Sequence, residues 1–489
     1  MPQDDVRVRG ESFNLGDSGK YTRLGWISIC FIVYFNVCGG PWGSEEIISS
    51  AGPLAGLVGC VVFSLLWAVP LSMITAELSS VYADDGGYAI WVAEGLGPFW
   101  GFQEAYWSWV SGVIDTAIYP VLAYDTAMQV MRGSWDAPLV GDKMVCYANG
   151  TDSSGGDSDD EDVFNSKGYM IKMLLAVVFT VPNMFSPHSF GKLMRFLGVI
   201  VMLPFVVQCV FLLYHYEDLN SPRILLEVSS NPDWFELLMV LYWNFSGFDA
   251  ISTCAGEVDD PGRNFPRGLF SAILLVFLSY VVPLSIFTLA NKPFWQCWDE
   301  GWFSVIAEES VGQWMAIWIV VTSFVGNAGM YTAEVFEDSW QLCGMARQGL
   351  MPSIFARKHG DTPTVAILFS LLIIATLLAL GFNEIVCITN LFSCLSSLLE
   401  FVAFVKLRVS KPDMVRPYKL PIDNIVWLLV FFLFPCGLGV FVCIGSLASS
   451  TISVVLNGVA LVGGIGLYHY MHYNGNIQYQ YQNERTPLL

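Results

Sequence analysis

The run Cys38-Gly39-Gly40-Pro41-Trp42-Gly43 lies in the middle of an apolar segment that covers residues 22 to 50. Three glycines and a proline do not sustain a regular helix, because glycine costs about 1 kcal/mol and proline about 3 kcal/mol at an interior position. We therefore expect this helix to break in its middle. Open backbone at membrane depth is tolerated only where it is buried in protein or lines a cavity, so the break also predicts a cavity.

A second apolar segment, residues 234 to 256, is interrupted in a similar way. Its polar run is Trp243-Asn244-Phe245-Ser246-Gly247-Phe248-Asp249-Ala250-Ile251-Ser252-Thr253. When the spacing between Gly40 and Gly247 is added to the residue numbers of the third apolar segment, the resulting positions lie in the eighth segment. Interrupted helices at matching positions in two halves are typical of inverted-repeat transporters. We expect helices 1 to 5 and 6 to 10 to form the two repeats, with helices 11 and 12 appended.

The composition of the 489-residue chain indicates an all-α membrane protein, since 54% of the residues are hydrophobic and only 13% are charged. A helix needs about 20 apolar residues to cross a bilayer. Twelve such segments are predicted, at residues 22–50, 54–80, 101–131, 168–186, 194–216, 234–256, 268–290, 312–336, 363–382, 384–407, 425–446 and 449–472. The predicted organisation is an N-terminal tail (1–21), a transport core (22–408), helices 11 and 12 with their preceding loop (409–472) and a C-terminal tail (473–489).

The distribution of basic residues predicts that both termini are cytoplasmic, because cytoplasmic loops carry an excess of Lys and Arg. With that orientation, all but six of the 23 Lys and Arg residues fall on the cytoplasmic side. The six exceptions are Arg132, Lys143, Lys167, Lys172, Arg223 and Lys292. The net charge of −20 is concentrated on the other side, above all in the run Asp152 to Asp162. No cleavable signal peptide is apparent in the polar first 20 residues.

The predicted outer loops contain two cysteines and one glycosylation sequence. Cys146 and Cys297 lie on an oxidising face and could form a disulfide, although the sequence does not supply the geometry. Asn149-Gly150-Thr151 fits a glycosylation acceptor. At the other end of the chain, the tail from Glu484 to Leu488 and Leu489 resembles an acidic dileucine sorting signal that a sorting adaptor would bind. A chance match in so short a tail remains the alternative.

Ionisable residues at membrane depth suggest a site for a cation, because they are costly there unless they have a function. Asp115 lies near the middle of the third helix, and Tyr119 lies one turn along on the same face, where its ring could contact an amine. A structural hydrogen bond to a neighbouring helix would also explain Asp115. We expect Glu104 and Asp125, nearer the helix ends, to be solvated.

The acidic residues beside the two breaks have structural explanations as well. Glu45 and Glu46 follow the first break and could simply favour a helix N-terminus, and Asp249 could cap the half-helix after the second break. The glycines could serve close helix packing. Glu334 and Glu337, expected near the inner end of the eighth helix, could close an inner gate with Lys192 and Arg195, although interfacial anchoring is the commoner role.

Several function classes lack support in the sequence. There is no phosphate-binding glycine loop and no Cys/His cluster with metal spacing, which disfavours ATP drive, zinc chemistry and a resident cofactor. No motif supplies an activated nucleophile, so an enzyme is not expected. Nothing in the sequence suggests a nucleic-acid partner.

Five ordered stretches resemble the amino acid, polyamine and organocation superfamily, and more narrowly its polyamine:cation symporter family. They are Gly39-Gly40-Pro41-Trp42-Gly43, the run from Gly86 to Tyr119, Trp243 to Val258, Asp338 to Pro352, and Glu400 to Pro421 with Arg416-Pro417-Tyr418-Lys419. The resemblance implies a LeuT-like fold with alternating access and proton-coupled uptake of putrescine or spermidine.

The resemblance also implies substrate contacts at the first break, at Tyr119, and at Asn244 with its neighbours. Together with the acidic residues, the expected substrate-binding set is Gly39, Gly40, Trp42, Glu46, Asp115, Tyr119, Trp243, Asn244 and Asp249. The rival interpretations are an amino acid permease, whose substrate carboxylate would lie at the first break, and a transporter subunit that needs a partner chain. The plasma membrane is the expected location, with endosome or lysosome as the alternative.

Overall fold

The computed structural model describes residues 23–132, 166–215, 219–291, 294–299, 301–378, 382–448 and 451–479. Within these ranges the chain is helical, and its β-type pairing is limited to three isolated bridges. The α-helices are α1 Trp26–Val37, α2 Glu46–Ser49, α3 Pro53–Phe63, α4 Val69–Val81, α5 Gly87–Leu96, α6 Pro98–Arg132, α7 Ser166–Thr180, α8 Pro187–Tyr214, α9 Trp234–Asn244, α10 Pro261–Ala290, α11 Phe303–Ser310, α12 Gln313–Arg347, α13 Thr364–Leu377, α14 Phe382–Ser410, α15 Ile425–Ala448 and α16 Thr451–Tyr473.

Seven helical stretches among the described residues are long and apolar enough to cross a bilayer. Large apolar side chains on their outer faces are exposed, for example Leu65 (57%), Phe196 (64%) and Leu433 (71%). Apolar surface on this scale needs lipid or a partner to cover it, so the chain is a multi-pass membrane protein. Each of the twelve predicted segments contains helix, but the number of spans stays a prediction. The seven stretches are Pro53–Val81, Pro187–Tyr214, Pro261–Ala290, Gln313–Arg347, Thr389–Ser410, Ile425–Leu447 and Val454–Tyr473.

Both predicted helix breaks are present, and they pack against each other. Helix α1 ends at Val37 and α2 begins at Glu46, while Gly40 and Gly43 between them have φ of +117° and +85°. Helix α9 ends at Asn244, and a 3₁₀ turn begins at Ala250. Gly247 between them has φ of +98°, and a Cβ there would lie 2.8 Å from the carbonyl oxygen of Asn36. Only glycine adopts this backbone conformation at so close an approach without strain.

Helix α12 extends beyond its predicted end. The apolar segment stops near residue 336, but the helix continues to Arg347. The added turns bury polar side chains, including Ser339 and Gln341, against α5 and α6. Hydropathy cannot detect such a face, because it is polar yet buried in protein. The prediction that Glu334 lies near a helix end is therefore wrong, since Glu334 lies more than three turns before Arg347.

One end of the helix bundle, which we name the Asp85 end, is closed by backbone and ionic contacts. The Leu24 N–H donates to the Glu257 carbonyl at 2.9 Å, and the Gly86 N–H donates to the Thr253 carbonyl at 2.7 Å. The ion pairs at this end are Arg347 to Asp85 (2.7 Å), Lys358 to Glu257 (2.9 Å) and Lys358 to Asp85 (3.8 Å). The Lys358 ammonium also lies 3.8 Å from the centre of the Trp340 ring.

These ion pairs differ from the predicted inner gate. Glu337 is buried and Glu334 is half-buried, both inside the bundle, and Lys192 is exposed at the surface. The Arg195 side chain donates to the Gly191 carbonyl of its own helix at 3.3 Å. The sequence predicts ion pairs at other residues, because its apolar segment ends near residue 336, well before α12 does.

Candidate substrate cavity

A cavity of about 130 Å³ lies where the two breaks meet α6, α12 and α14. Seven of the nine predicted substrate-binding residues line it: Gly39, Trp42, Asp115, Tyr119, Trp243, Asn244 and Asp249. The break residues reach the cavity because their chain leaves helical geometry there, and Asp115 and Tyr119 reach it from one face of α6. The lining also includes Glu334, Glu337 and Asp338 of α12. The sequence analysis did not place these three in the site.

Gly40 and Glu46 are not part of the lining. A Cβ on Gly40 would lie 2.8 Å from Val201, so this glycine packs against α8. The acidic residue with a defined role here is Glu45, which is fully buried. Its carboxylate accepts hydrogen bonds from the backbone N–H groups of Gly43 (2.7 Å), Gly301 (3.2 Å) and Phe303 (3.3 Å). Glu45 thus ties the first break to the start of α11.

The centre of the cavity is formed by Asp115 and Glu334, which we name the carboxylate pair. The Tyr119 hydroxyl lies between them, 2.9 Å from Asp115 Oδ2 and 2.8 Å from Glu334 Oε1. The Trp243 indole N–H donates to Asp115 Oδ1 at 3.5 Å. On the other side of Glu334, Oε2 lies 2.9 Å from the Thr116 hydroxyl.

These contacts require more hydrogens than the two hydroxyl groups supply. A hydroxyl donates one hydrogen, and carbonyl or ionised carboxylate oxygens only accept. The Thr116 hydroxyl lies 2.7 Å from the Gly112 carbonyl and 2.9 Å from Glu334, so it can donate to only one of them. The Tyr119 hydroxyl has the same choice between two carboxyl groups. All four contacts can be hydrogen bonds at the same time only when the carboxylate pair is protonated. When the pair is ionised, another donor must supply the missing hydrogens.

The side chain of Asn244 is bonded within its own helix, whereas that of Asp249 interacts with another helix. The Asn244 amide donates to the Val240 carbonyl of α9 at 2.9 Å, which closes the last turn before the break. Asp249 precedes the 3₁₀ turn but makes no side-chain capping hydrogen bond. Its carboxyl group instead interacts with that of Glu400 of α14. The structure therefore does not favour the capping interpretation of Asp249.

Glu104 is the clearest error of the sequence analysis. It was expected to be solvated, but it is fully buried, and Glu104 Oε1 accepts a hydrogen bond from the Ser396 hydroxyl at 2.7 Å. It also interacts electrostatically with Asp249 and Glu400. We name Glu104, Asp249 and Glu400 the acidic triad. Asp125, in contrast, is exposed as expected.

The ionisable groups that give the cavity its charge are acidic. Five carboxyl groups line it, from Asp115, Asp249, Glu334, Glu337 and Asp338, and the described lining contains no Lys, Arg or His. The rings of Tyr119 and Trp243 complete the wall beside the carboxylate pair. A site of this kind suits a cation with several N–H donors. Among the described residues, no cluster of His, Cys, Asp or Glu has the arrangement of a metal site.

Comparison with known proteins identifies the family. A family model described as amino acid permease matches residues 24–466. The chain belongs to the amino acid permease family. This membership confirms the superfamily resemblance and makes the chain a transporter and not an enzyme.

Curated relatives of this permease align over most of its length. Polyamine transporter PUT1 of Oryza sativa subsp. japonica is 36% identical over 415 residues, which cover 84% of this chain and 72% of the rice protein. Polyamine transporter RMV1 of Arabidopsis thaliana is 34% identical over 439 residues, covering 89% and 83%. A probable polyamine transporter of Arabidopsis thaliana is 34% identical over 438 residues, covering 89% and 82%.

Several predicted sites of the permease lie outside the described residues. They are Cys146, Asn149, Glu484, Leu488 and Leu489. Cys297 is buried and disulfide-bonded, while its pairing with Cys146 stays a prediction. Glycosylation and the sorting signal also stay predictions.

Proposed function

We propose that this permease is a proton-coupled symporter that imports polyamines such as putrescine and spermidine. The observation that carries the proposal is the cavity with five carboxyl groups and no described basic residue. A polyamine presents at least two ammonium groups, so it needs more than one carboxylate. Relatives with more than 30% identity that are named as polyamine transporters support the same substrate class.

In this proposal one ammonium group binds at the carboxylate pair. An ammonium supplies three N–H donors and no acceptor. It therefore provides the hydrogens that the carboxylate pair lacks without a bound cation. Tyr119 then donates its single hydrogen to Asp115 or Glu334, and the ammonium donates to the other. The Trp243 and Tyr119 rings present π-faces to the cation. The second ammonium binds along the acidic wall that Glu337 and Asp338 form.

We extend the proposal to a LeuT-like fold with twelve spans, a 5+5 inverted repeat and alternating access. Support comes from two interrupted helices that meet at one cavity, as expected for repeats related by symmetry. The positive-inside distribution supports cytoplasmic termini, and the Asp85 end would then face the cytoplasm. The plasma membrane is the proposed residence, with an endosomal or lysosomal membrane if an adaptor binds the C-terminal tail.

The decisive experiment is uptake by the purified protein in liposomes. Radiolabelled putrescine, spermidine, arginine and leucine are offered with and without a pH gradient, acid outside. We expect uptake of putrescine and spermidine that increases with the gradient. Uptake of leucine alone would contradict the proposal and would favour an amino acid permease, whose substrate carboxylate would bind free N–H groups at the first break.

A further inference from the structure

The acidic triad is built from three different elements, and its two glutamates are sealed from lipid and water. Glu104 lies on α6, Glu400 on α14, and Asp249 directly after the second break; Glu104 and Glu400 are fully buried. Neither Glu400 oxygen has a hydrogen-bond donor, and Glu104 Oε2 has none. Buried polar atoms without a partner are rare in proteins, and each calls for a ligand or a proton.

The contact between Asp249 and Glu400 cannot form between two ionised groups. Ionised carboxylates only accept hydrogen bonds, and two of them at hydrogen-bond distance repel each other. The titratable groups that face the triad from neighbouring helices are Tyr88 of α5 and Glu337 of α12. Among the described residues, no Lys, Arg or His interacts with it. A proton is thus the missing charge, and the described residues offer no metal-site arrangement.

A proton can reach Glu104 and Glu400 from the cavity, but an amine cannot. Of the three triad residues, Asp249 lines the cavity, beside Tyr88, Glu337 and Ser396, whereas Glu104 and Glu400 are not part of the lining. The Ser396 hydroxyl already donates to Glu104. A proton can pass from the cavity to Asp249 and on to Glu400, whereas an alkylammonium would have to enter a space that the cavity does not include.

Symport needs a protonation site of this separate kind. A proton on the carboxylate pair competes with an ammonium for the same oxygens, so binding there alone exchanges one cation for the other. Net movement of both in one direction requires that the proton and the amine be bound together. The second site must therefore lie close enough to interact with a ligand in the cavity, and it must keep its proton when the amine is bound.

We propose that the acidic triad is the coupling-proton site, separate from the carboxylate pair that binds the amine. This inference rests on the proposed function. Glu400 takes a proton that arrives from water on one face of the membrane through Asp249. The same proton leaves to water on the other face after the cavity has changed its exposure. No bond other than O–H is made or broken.

The test compares Glu400→Gln with wild type in liposomes clamped at zero membrane potential, with putrescine as the probe. Two rates are measured, putrescine exchange at equal pH and net accumulation driven by a pH gradient. For one proton per substrate, one pH unit drives about tenfold accumulation in the wild type. We expect E400Q to lose this accumulation while exchange decreases much less, so that the ratio of accumulation to exchange collapses. Glu308→Gln on α11, a helix that contributes no residue to the cavity lining or to the triad, is the matched control and should keep both.

Three outcomes overturn or redirect the inference. If E400Q accumulates putrescine like wild type, the triad does not carry the coupling proton. If E400Q loses exchange as well, Glu104→Gln is measured in its place, and a proportional loss of both rates there also rejects the inference. If wild type carries no polyamine, the proposed function fails and the triad is not at issue. A second readout is proton release on putrescine binding in detergent, which E400Q should leave unchanged and Asp115→Asn should abolish.

Discussion

At the scale of single residues, the site depends on how hydroxyl hydrogens are shared. Tyr119 and Thr116 each lie between two acceptors, and neither can satisfy both. This arrangement leaves the carboxylate pair short of donors, which is the property that an ammonium group corrects. The sequence could indicate Asp115 and Tyr119, which are one helical turn apart. It could not show that Glu334, from a helix far along the chain, shares the same hydroxyl.

Asp115→Asn should weaken putrescine binding while leaving the amount of folded protein unchanged. The substitution removes the charge of one member of the carboxylate pair but keeps its size. A charge-assisted hydrogen bond contributes about 1.5–3 kcal/mol, so we expect about 10- to 100-fold weaker binding. Binding calorimetry in detergent and liposome uptake measure the effect. Asp125→Asn on the same helix, at an exposed position, is the control, and equal affinity of D115N and wild type would remove Asp115 from the site.

At the scale of secondary-structure elements, the breaks were predictable and the course of α12 was not. Glycine, proline and polar residues inside apolar segments predict broken helices, because keeping them in a continuous helix costs free energy. The polar sequence after residue 336 hides about three further helical turns. For the same reason Glu104 was assigned to solvent, although it contacts Ser396 of α14. The local sequence indicates the free-energy cost of forming an element. The residues that offset this cost come from distant parts of the chain and are brought there by tertiary packing.

Gly247→Ala should damage the junction of the two breaks. The residue has φ of +98°, and its Cβ would lie 2.8 Å from the Asn36 carbonyl oxygen. Backbone strain of this kind costs about 1–3 kcal/mol, so we expect lower thermal stability in detergent and reduced uptake. Gly437→Ala on α15, where a Cβ meets nothing within 4 Å, is the control. A variant G247A as stable and active as G437A would show that the junction tolerates a shift.

At the scale of the whole molecule, the first break and the Asp85 end are held by different chemistry. Glu45 holds the first break through backbone N–H groups, and the Asp85 end is closed by ion pairs. Charges at the Asp85 end can respond to pH, because Asp85 lies in the loop between α4 and α5, outside the spanning segments. Burial raises the pKa of Asp85 to about 7, and Glu257 and Asp84 add to the increase. Lys358 and Arg347 oppose it.

The closed Asp85 end should loosen as pH rises through about 7. The cost of burying the Asp85 charge exceeds what its ion pairs with Arg347 and Lys358 return, so its pKa is higher in the closed form than in water. The closed form therefore binds the proton more tightly. The stabilisation is complete below the usual aspartate pKa and is lost as pH rises through the raised value. Hydrogen exchange of the Gly86 and Leu24 amides at pH 6 and pH 8, corrected for intrinsic rates, measures this. In Asp85→Asn the protection should be the same at both pH values, and a persisting pH dependence would assign the effect to another group.

The acidic wall of the cavity has a consequence for inhibitor chemistry. A compact bis-quaternary ammonium compound would be attracted by the charge of the acidic wall but would supply no N–H donor to the carboxylate pair. Such a compound would occupy the cavity and leave Tyr119 and Thr116 with too few hydrogens, so it would bind more weakly than a primary diamine of equal length. Methylating a diamine stepwise therefore separates attraction by charge from recognition by hydrogen bonding.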